Sequence, residues 1–256
     1  MTIRLNSFYN FAAIATFVMT LKPPVFLLFL AFVLFAGCSK WEEEPVISQL
    51  LIVNAFPDAA SLNIRVNTDA ESILDFGAAT PYQPLRAGQS TLQVNIGDRT
   101  LRSGYLRLAE NRNYSLYILK GIENPDLSIN RPDSIIIRID TLPAPEVGRA
   151  KIRFANLTPL SEGLDLRLRV IGPTNDTVIL PARTSPNYTP FSTVDASARG
   201  FSLSLLRGTE VAATLSIDTL ASERTYTIIA TGYSTPPPGN PRGLTLRVVA
   251  NRLERE

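Results

Sequence analysis

The chain has 256 residues, 45% apolar and 19% charged, with 25 basic and 23 acidic side chains. It has no histidine and one cysteine, Cys38. Those counts exclude Ser-His and Cys-His catalysis, His-ligated metals, imidazole pH switches, an intramolecular disulfide and any Cys-rich metal cluster.

Arg4 and Lys22 are the only charges before Cys38, so the remainder is formally neutral. No basic concentration of the kind that captures nucleic acid is present, and no nucleic-acid partner is expected. Residues 25–36 (VFLLFLAFVLFA) are apolar without a charge. That run is too short for a membrane span, which needs about 20 residues, and has the length of a signal-peptide core. Lys22 supplies the positive flank and Pro23-Pro24 a break before it. A second apolar run over 8–20 makes the leader long, and a start at Met19 would give it ordinary proportions.

The apolar run ends in Leu34-Phe35-Ala36-Gly37-Cys38. This resembles a bacterial lipoprotein processing site, which implies that Cys38 is lipidated and holds the protein to a membrane. The simpler alternative is an N-terminal membrane anchor with an incidental cysteine. Ser39 is not the Asp associated with inner-membrane retention, so the resemblance implies the outer membrane. Ser39, Lys40, Glu42, Glu43 and Glu44, with Trp41 among them, resemble the acidic surface-export signal of Bacteroidetes lipoproteins. A solvated acidic tether is the plainer reading of the same residues.

From Val46 the chain reads as short β-type runs between turn residues: 48–54, 62–66, 92–96, 105–108, 114–118 and 134–139. The Pro-rich stretch 141–149 breaks the pattern, which then restarts at 150–156, 164–170, 201–205, 220–230 and 243–249. Five blocks recur in the same order at offsets of 102 to 112 residues, so the chain is internally duplicated. Residues 220–230 parallel 108–118, 164–170 parallel 62–66, and 201–205 parallel 92–96. The expected organisation is a signal peptide over 1–37, a lipidated acidic tether over 38–47, a first β-sandwich over 48–140, a linker over 141–149 and a second β-sandwich over 150–256. The fold class expected is all-β, two tandem Ig-like β-sandwich domains after a lipoprotein signal peptide.

Ile52-Val53-Asn54-Ala55-Phe56-Pro57-Asp58-Ala59-Ala60 resembles the opening of domain of unknown function 4397, with Asn54 where the family usually has His. Phe154-Ala155-Asn156-Leu157-Thr158-Pro159 is a second, poorer copy. Leu85-Arg86-Ala87-Gly88 and Tyr226-Thr227-Ile228-Ile229-Ala230-Thr231-Gly232 echo later family segments. The resemblance implies two tandem copies, a β-sandwich fold and an envelope location. It implies no catalytic or ligand residue.

No phosphate loop, zinc spacing, serine-hydrolase elbow or calcium-type acidic loop occurs, so no catalytic residue, metal or cofactor is expected. Arg65, Arg138, Arg167, Arg169 and Arg247 each sit between apolar neighbours in period-2 runs. They are candidates for a ligand-facing sheet face, with the solvated face of a sandwich as the plainer alternative. The Pro-rich loop 236–241, preceded by Tyr233, reads as a binding loop or as a stiff connection. Asp133-Ser134, Asp140-Thr141, Asp176-Thr177 and Asp218-Thr219 resemble an O-glycosylation motif of Bacteroidetes envelope proteins. The expectation is a non-catalytic outer-membrane or cell-surface lipoprotein, a binding or structural module with a glycan or protein partner at the envelope. The alternatives are a polysaccharide-active enzyme using a carboxylate pair, an accessory subunit of an envelope complex, and a periplasmic-facing orientation.

Overall fold

The computed structural model describes residues 46–69, 71–124, 129–131, 133–159, 163–171 and 177–251. Cys38 and the acidic segment after it lie outside these residues. The first half runs β1 (Ile47–Ala55), β2 (Ser61–Val66), β3 (Ser72–Asp75), β4 (Gln83–Arg86), β5 (Gly88–Ile96), β6 (Arg99–Leu108), β7 (Asn113–Leu119), the short pair β8 (Ile122–Asn124) and β9 (Ile129–Arg131), and β10 (Ser134–Asp140). The second runs β11 (Arg149–Asn156), β12 (Leu164–Ile171), β13 (Thr177–Arg183), β14 (Asn187–Tyr188), β15 (Ser192–Asp195), β16 (Gly200–Arg207), β17 (Glu210–Ile217), β18 (Arg224–Thr231) and β19 (Thr245–Ala250). The fold is all-β, as the alternating runs predict.

Each half is two sheets packed face to face. In the first, β10-β7-β1-β4 covers β3-β2-β5-β6. In the second, β19-β18-β11, edged by β14 and β15, covers β13-β12-β16-β17. The order is the same strand for strand, and in both halves the central pair is parallel: β1 with β7, β11 with β18. Period-2 patterning decides which side chains enter each core. Leu62 and Ile64 of β2 point in and Arg65 points out, while Leu164, Leu166, Leu168 and Val170 of β12 point in and Arg167 and Arg169 out.

Local devices recur at matching places. Gly97 and Gly208, both at positive φ, turn the hairpins β5–β6 and β16–β17, and each hairpin shifts register just before its turn, at Val94/Asn95 and at Leu205/Leu206. The structural partner of Val94 is therefore Leu205, so 201–205 corresponds to 90–94 rather than to 92–96. That slip is two residues, and two residues leave side-chain alternation unchanged. Tyr114 and Tyr226 form tyrosine corners, each hydroxyl accepting from a backbone N–H five residues upstream, Ala109 at 2.8 Å and Ala221 at 2.9 Å. Thr80 and Thr189 each accept from, and donate back to, the backbone of the first strand of their half.

A third core lies between the halves. Leu51, Val53 and Tyr117 from β1 and β7 pack with Ala155, Ile229 and Val249 from β11, β18 and β19. Strands β1, β7 and β11 are consequently buried on both faces, which is why Leu50-Leu51-Ile52-Val53 and Leu116-Tyr117-Ile118-Leu119 are continuous apolar runs rather than alternating ones. Leu142, inside the Pro-rich stretch, packs on the same core. The two sandwiches belong to one compact unit.

Candidate functional site

The five candidate arginines are exposed and lie on four different sheets. Arg65 is on the outer face of β2, and Arg167 and Arg169 are neighbours on the outer face of β12. Arg138 is on β10 and Arg247 on β19, where Arg247 lies over Gly77 of the first half. The structure joins Arg167 with Arg169 and does not join the five into one face. Arg65 and Arg167 occupy matching positions of the two halves, opposite Gln93 and Ser204 in their registers.

Arg65 borders a shallow depression of about 360 Å³ on the outer face of β2, β5 and β6, lined also by Asn67, Thr91, Gln93, Ser103 and Tyr105. Strand register builds it in two rows: Arg65, Gln93 and Ser103 in one, Thr91 and Tyr105 in the next. Asn67 ends β2 in the left-handed region, at φ 56°. Its Oδ1 accepts from Thr91 N at 2.9 Å and its Nδ2 donates to Ser90 Oγ at 3.3 Å. Gln93 Nε2 donates to Asn95 Oδ1 at 3.3 Å. Arg65 pairs with Glu71 at 3.6 Å, both side chains well solvated. Tyr105 is 71% exposed. Among the described residues, no carboxylate lines the depression. The second half has Arg167, Arg169, Ser202, Ser204, Thr214 and Ser216 at the matching positions, without an aromatic ring. Sequence alternation located Arg65; it missed Tyr105, whose neighbour across the sheet is set by register alone.

The buried ionisable groups sit elsewhere, in the third core. Arg153 of β11 donates to Asp140 at the end of β10 at 2.6 Å and, through Nε, to Thr227 Oγ1 at 2.8 Å. Its guanidinium lies 5.0 Å from the Tyr188 ring centre and 4.9 Å from that of Phe191. The other Asp140 oxygen accepts from Tyr82 Oη at 2.6 Å and from Ser115 Oγ. Thr227 donates to Asn251 at 2.7 Å, and Asn251 reaches Tyr82 Oη at 3.4 Å. Burial first, then the Asp140 carboxylate, pushes the Tyr82 phenol well above its ordinary range. Burial likewise raises Tyr117, against the pull of Arg153. At matching positions of the two halves, Asp140 corresponds to Asn251, Ser115 to Thr227, Tyr82 to Phe191 and Leu51 to Arg153. One half supplies the acid and the other the base. The cluster is closed from solvent and its polar groups are matched to one another, so its chemistry is that of a joint.

The Pro-rich loop straps the halves together. Tyr233 Oη donates to Asp58 at 2.5 Å, and Asn240 Nδ2 and Arg242 Nη1 donate to Pro57 O at 3.0 and 3.1 Å. Lys120 meets Asp58 at 3.2 Å and Asp133 at 3.3 Å. Burial opposes the Lys120 charge, but the two carboxylates outweigh it and hold its pKa above the ordinary value. Gly232, at φ 93°, opens the strap, because a Cβ there would lie 2.1 Å from Gly243 O.

Of the glycosylation-like motifs, Asp218-Thr219 is exposed in the connection between β17 and β18. Asp133 and Asp140 are held in the ion pairs above, Ser134 Oγ is buried, and Asp176 lies outside the described residues. Cys38 and the signal residues Ser39, Lys40, Glu42, Glu43 and Glu44 also lie outside them. Asn54, where the resembled family has His, is buried. Its Nδ2 donates to Leu74 O at 2.8 Å, and its Oδ1 accepts from Phe56 N at 3.0 Å. Asn156 makes the same pair of bonds to Arg183 O and Thr158 N. Both asparagines tie one sheet to the other.

Residues 48–167 match the model of a family described as "Domain of unknown function (DUF4397)". The match spans the first sandwich and the opening of the second. No curated protein matches the chain. Among solved structures, the chain is similar to the tip fimbrial protein Mfa3 from Porphyromonas gingivalis with C-terminal truncation. Identity is 10%, the match covers 80% of this chain and 99% of that chain, and the TM-score is 0.24.

Proposed function

We propose that this chain is a lipid-anchored, non-catalytic module of the cell envelope, made of two copies of one β-sandwich domain and held at the membrane through Cys38. The observation that carries the non-catalytic part is the joint: Asp140, Arg153 and Tyr82 are matched to one another inside a closed core. Groups arranged for chemistry open onto a cleft instead. The anchored part rests on the Leu34-Phe35-Ala36-Gly37-Cys38 segment. Several acyl chains on one residue give stable anchoring where a single chain does not. Glu42, Glu43 and Glu44, within the segment 39–44, favour presentation at the cell surface, with the periplasmic face as the other orientation. Two copies are supported by the matched tyrosine corners, buried asparagines and hairpin turns. The carboxylate-pair enzyme is the less favoured reading, since among the described residues no carboxylate lines the open depression on β2, β5 and β6.

The test is fractionation and protease shaving of intact cells carrying wild type or Cys38→Ala. The reading expects wild type in the outer membrane and lost on shaving, and the variant released from it. Wild type protected from protease but still dependent on Cys38 selects the periplasmic face. A variant with unchanged fractionation and mobility overturns the lipid anchor.

A further inference from the structure

We infer that the depression on β2, β5 and β6 binds an acidic saccharide, with Tyr105 as the stacking platform and Arg65 as the carboxylate anchor. The inference gives the binding module proposed above its ligand class. Three observations carry it. Tyr105 is 71% exposed on an outer sheet face, where a large ring gains nothing from the core. A pyranose ring has an apolar C–H face that rests on such a ring, and the phenol adds a polar tip at the edge. Next, the other lining side chains, Asn67, Thr91, Gln93 and Ser103, are neutral hydrogen-bonding groups suited to hydroxyls. Asn67 and Gln93 are held by Thr91, Ser90 and Asn95, so the surface is preorganised.

The third observation is charge. Among the described residues Arg65 is the single ionised group in the lining, and its pairing with Glu71 is loose, 3.6 Å between solvated side chains. An exposed pair of that kind is worth little, so a ligand carboxylate displaces Glu71 at small cost. Arg presents a planar fork that matches a carboxylate with two bonds. Strands β2 and β6 flank β5 and Tyr105 stands one row along from Arg65, so their backbones are about 12 Å apart, with room for a sugar ring between the two side chains. The second half keeps the arginine, as Arg167, but has Ser216 where Tyr105 stands. The ring belongs to the first half, which makes the second half an internal control.

The experiment is calorimetric titration of the full-length lipidated chain in detergent with hexagalacturonate, and with maltohexaose as the neutral probe. Hexagalacturonate binds wild type, and maltohexaose binds at least about tenfold more weakly, the loss of one charge-assisted contact. Tyr105→Ala and Arg65→Gln each weaken hexagalacturonate about tenfold or more, while Arg167→Gln leaves it unchanged. Unfolding midpoints equal to wild type show that the exposed substitutions leave the fold intact. No binding of hexagalacturonate, equal binding of maltohexaose, indifference to Tyr105→Ala, or an equal loss in Arg167→Gln would each overturn the assignment. The anchor fails separately: Cys38→Ala that leaves the membrane while wild type ignores hexagalacturonate sinks the groove and keeps the anchor.

Discussion

Arg153 Nη2 and Asp140 Oδ1 meet at 2.6 Å, both side chains almost wholly buried, one from each sandwich and on either side of the Pro-rich segment. Removing one partner leaves the other charged and dry, at a cost of about 3–5 kcal/mol. Arg153→Met and Asp140→Asn should therefore each lower the denaturant midpoint strongly. The double substitution should recover much of the loss, because no uncompensated charge remains. Equal midpoints for wild type and both single variants would show that the pair does not hold the halves together.

Tyr82 gives the joint a pH dependence. Its phenol titrates in the unfolded chain near 10 and well above that when folded. A group raised on folding contributes stability that is complete below the unfolded pKa and is lost as pH rises through the folded one. Stability should thus fall with increasing pH from about 10 upward. Tyr117, also raised, adds to the slope. Tyr82→Phe should lower stability at neutral pH by about 1–3 kcal/mol, through the lost bond to Asp140, and flatten the alkaline decline. Denaturant midpoints between pH 8 and 11 decide it; an unchanged slope in Tyr82→Phe would place the alkaline sensitivity elsewhere.

Much of this fold is legible in the alternation of Leu62 to Val66 and of Leu164 to Val170, because one face of each strand meets solvent. The edge strands β3, β4, β13 and β17 escape the same reading. They are short or, like β17 with Ala212, Ala213 and Thr214, weakly patterned. The joint was hidden for another reason. Tyr82, Ser115, Asp140, Arg153, Thr227 and Asn251 are scattered along the chain, and Arg153 between Ile152 and Phe154 looks like any outward-facing arginine. Two signals were available: the continuous apolar runs of β1 and β7, which alternation alone does not explain, and Thr80-Pro81-Tyr82 recurring as Thr189-Pro190-Phe191. The depression was half legible, since alternation exposes Arg65 but only register brings Tyr105 near it.

The strap depends on one glycine more than on any other. Gly232→Ala puts a methyl group against Gly243 O and holds alanine at φ 93°, costing at least about 1–3 kcal/mol in backbone strain alone. Gly97→Ala, at φ 54° with nothing within 4 Å of the new carbon, should cost only about 1–2 kcal/mol. The local consequence is loss of the contacts that hold Arg242 to Pro57. Trypsin should cut after Arg242 faster in Gly232→Ala than in wild type or Gly97→Ala. Equal rates in all three would mean that Gly232 does not set the strap.

The tyrosine corners offer a matched pair. Tyr114→Phe and Tyr226→Phe keep the ring and remove the acceptor for Ala109 N and Ala221 N. Each should cost about 0.5–1.5 kcal/mol. Tyr114 is nearly buried and the Ala221 bond is exposed, so water replaces the second more readily and Tyr114→Phe should be the costlier. Denaturant midpoints in the reverse order would contradict the burial argument.

Asn54 tests what the buried polar position requires. It uses one donor and one acceptor, to Leu74 O and from Phe56 N, at a site with no exposure. Asn54→Ala orphans both backbone groups and should cost about 2–4 kcal/mol, since each buried unsatisfied group carries a penalty of about 1–3 kcal/mol. A neutral imidazole also has one donor and one acceptor, on opposite nitrogens. Asn54→His, the residue that the resembled family has here, should therefore cost less than Asn54→Ala at pH 8. Acid should cancel that advantage, because a protonated imidazole has two donors and cannot accept from Phe56 N. Its folded pKa would lie below the ordinary 6.5, so its stability is complete above 6.5 and falls as pH drops toward the folded value. Denaturation of both variants at pH 8 and pH 5 measures the difference. A histidine variant no better than alanine at pH 8 would mean that the site selects for size rather than for its two hydrogen bonds.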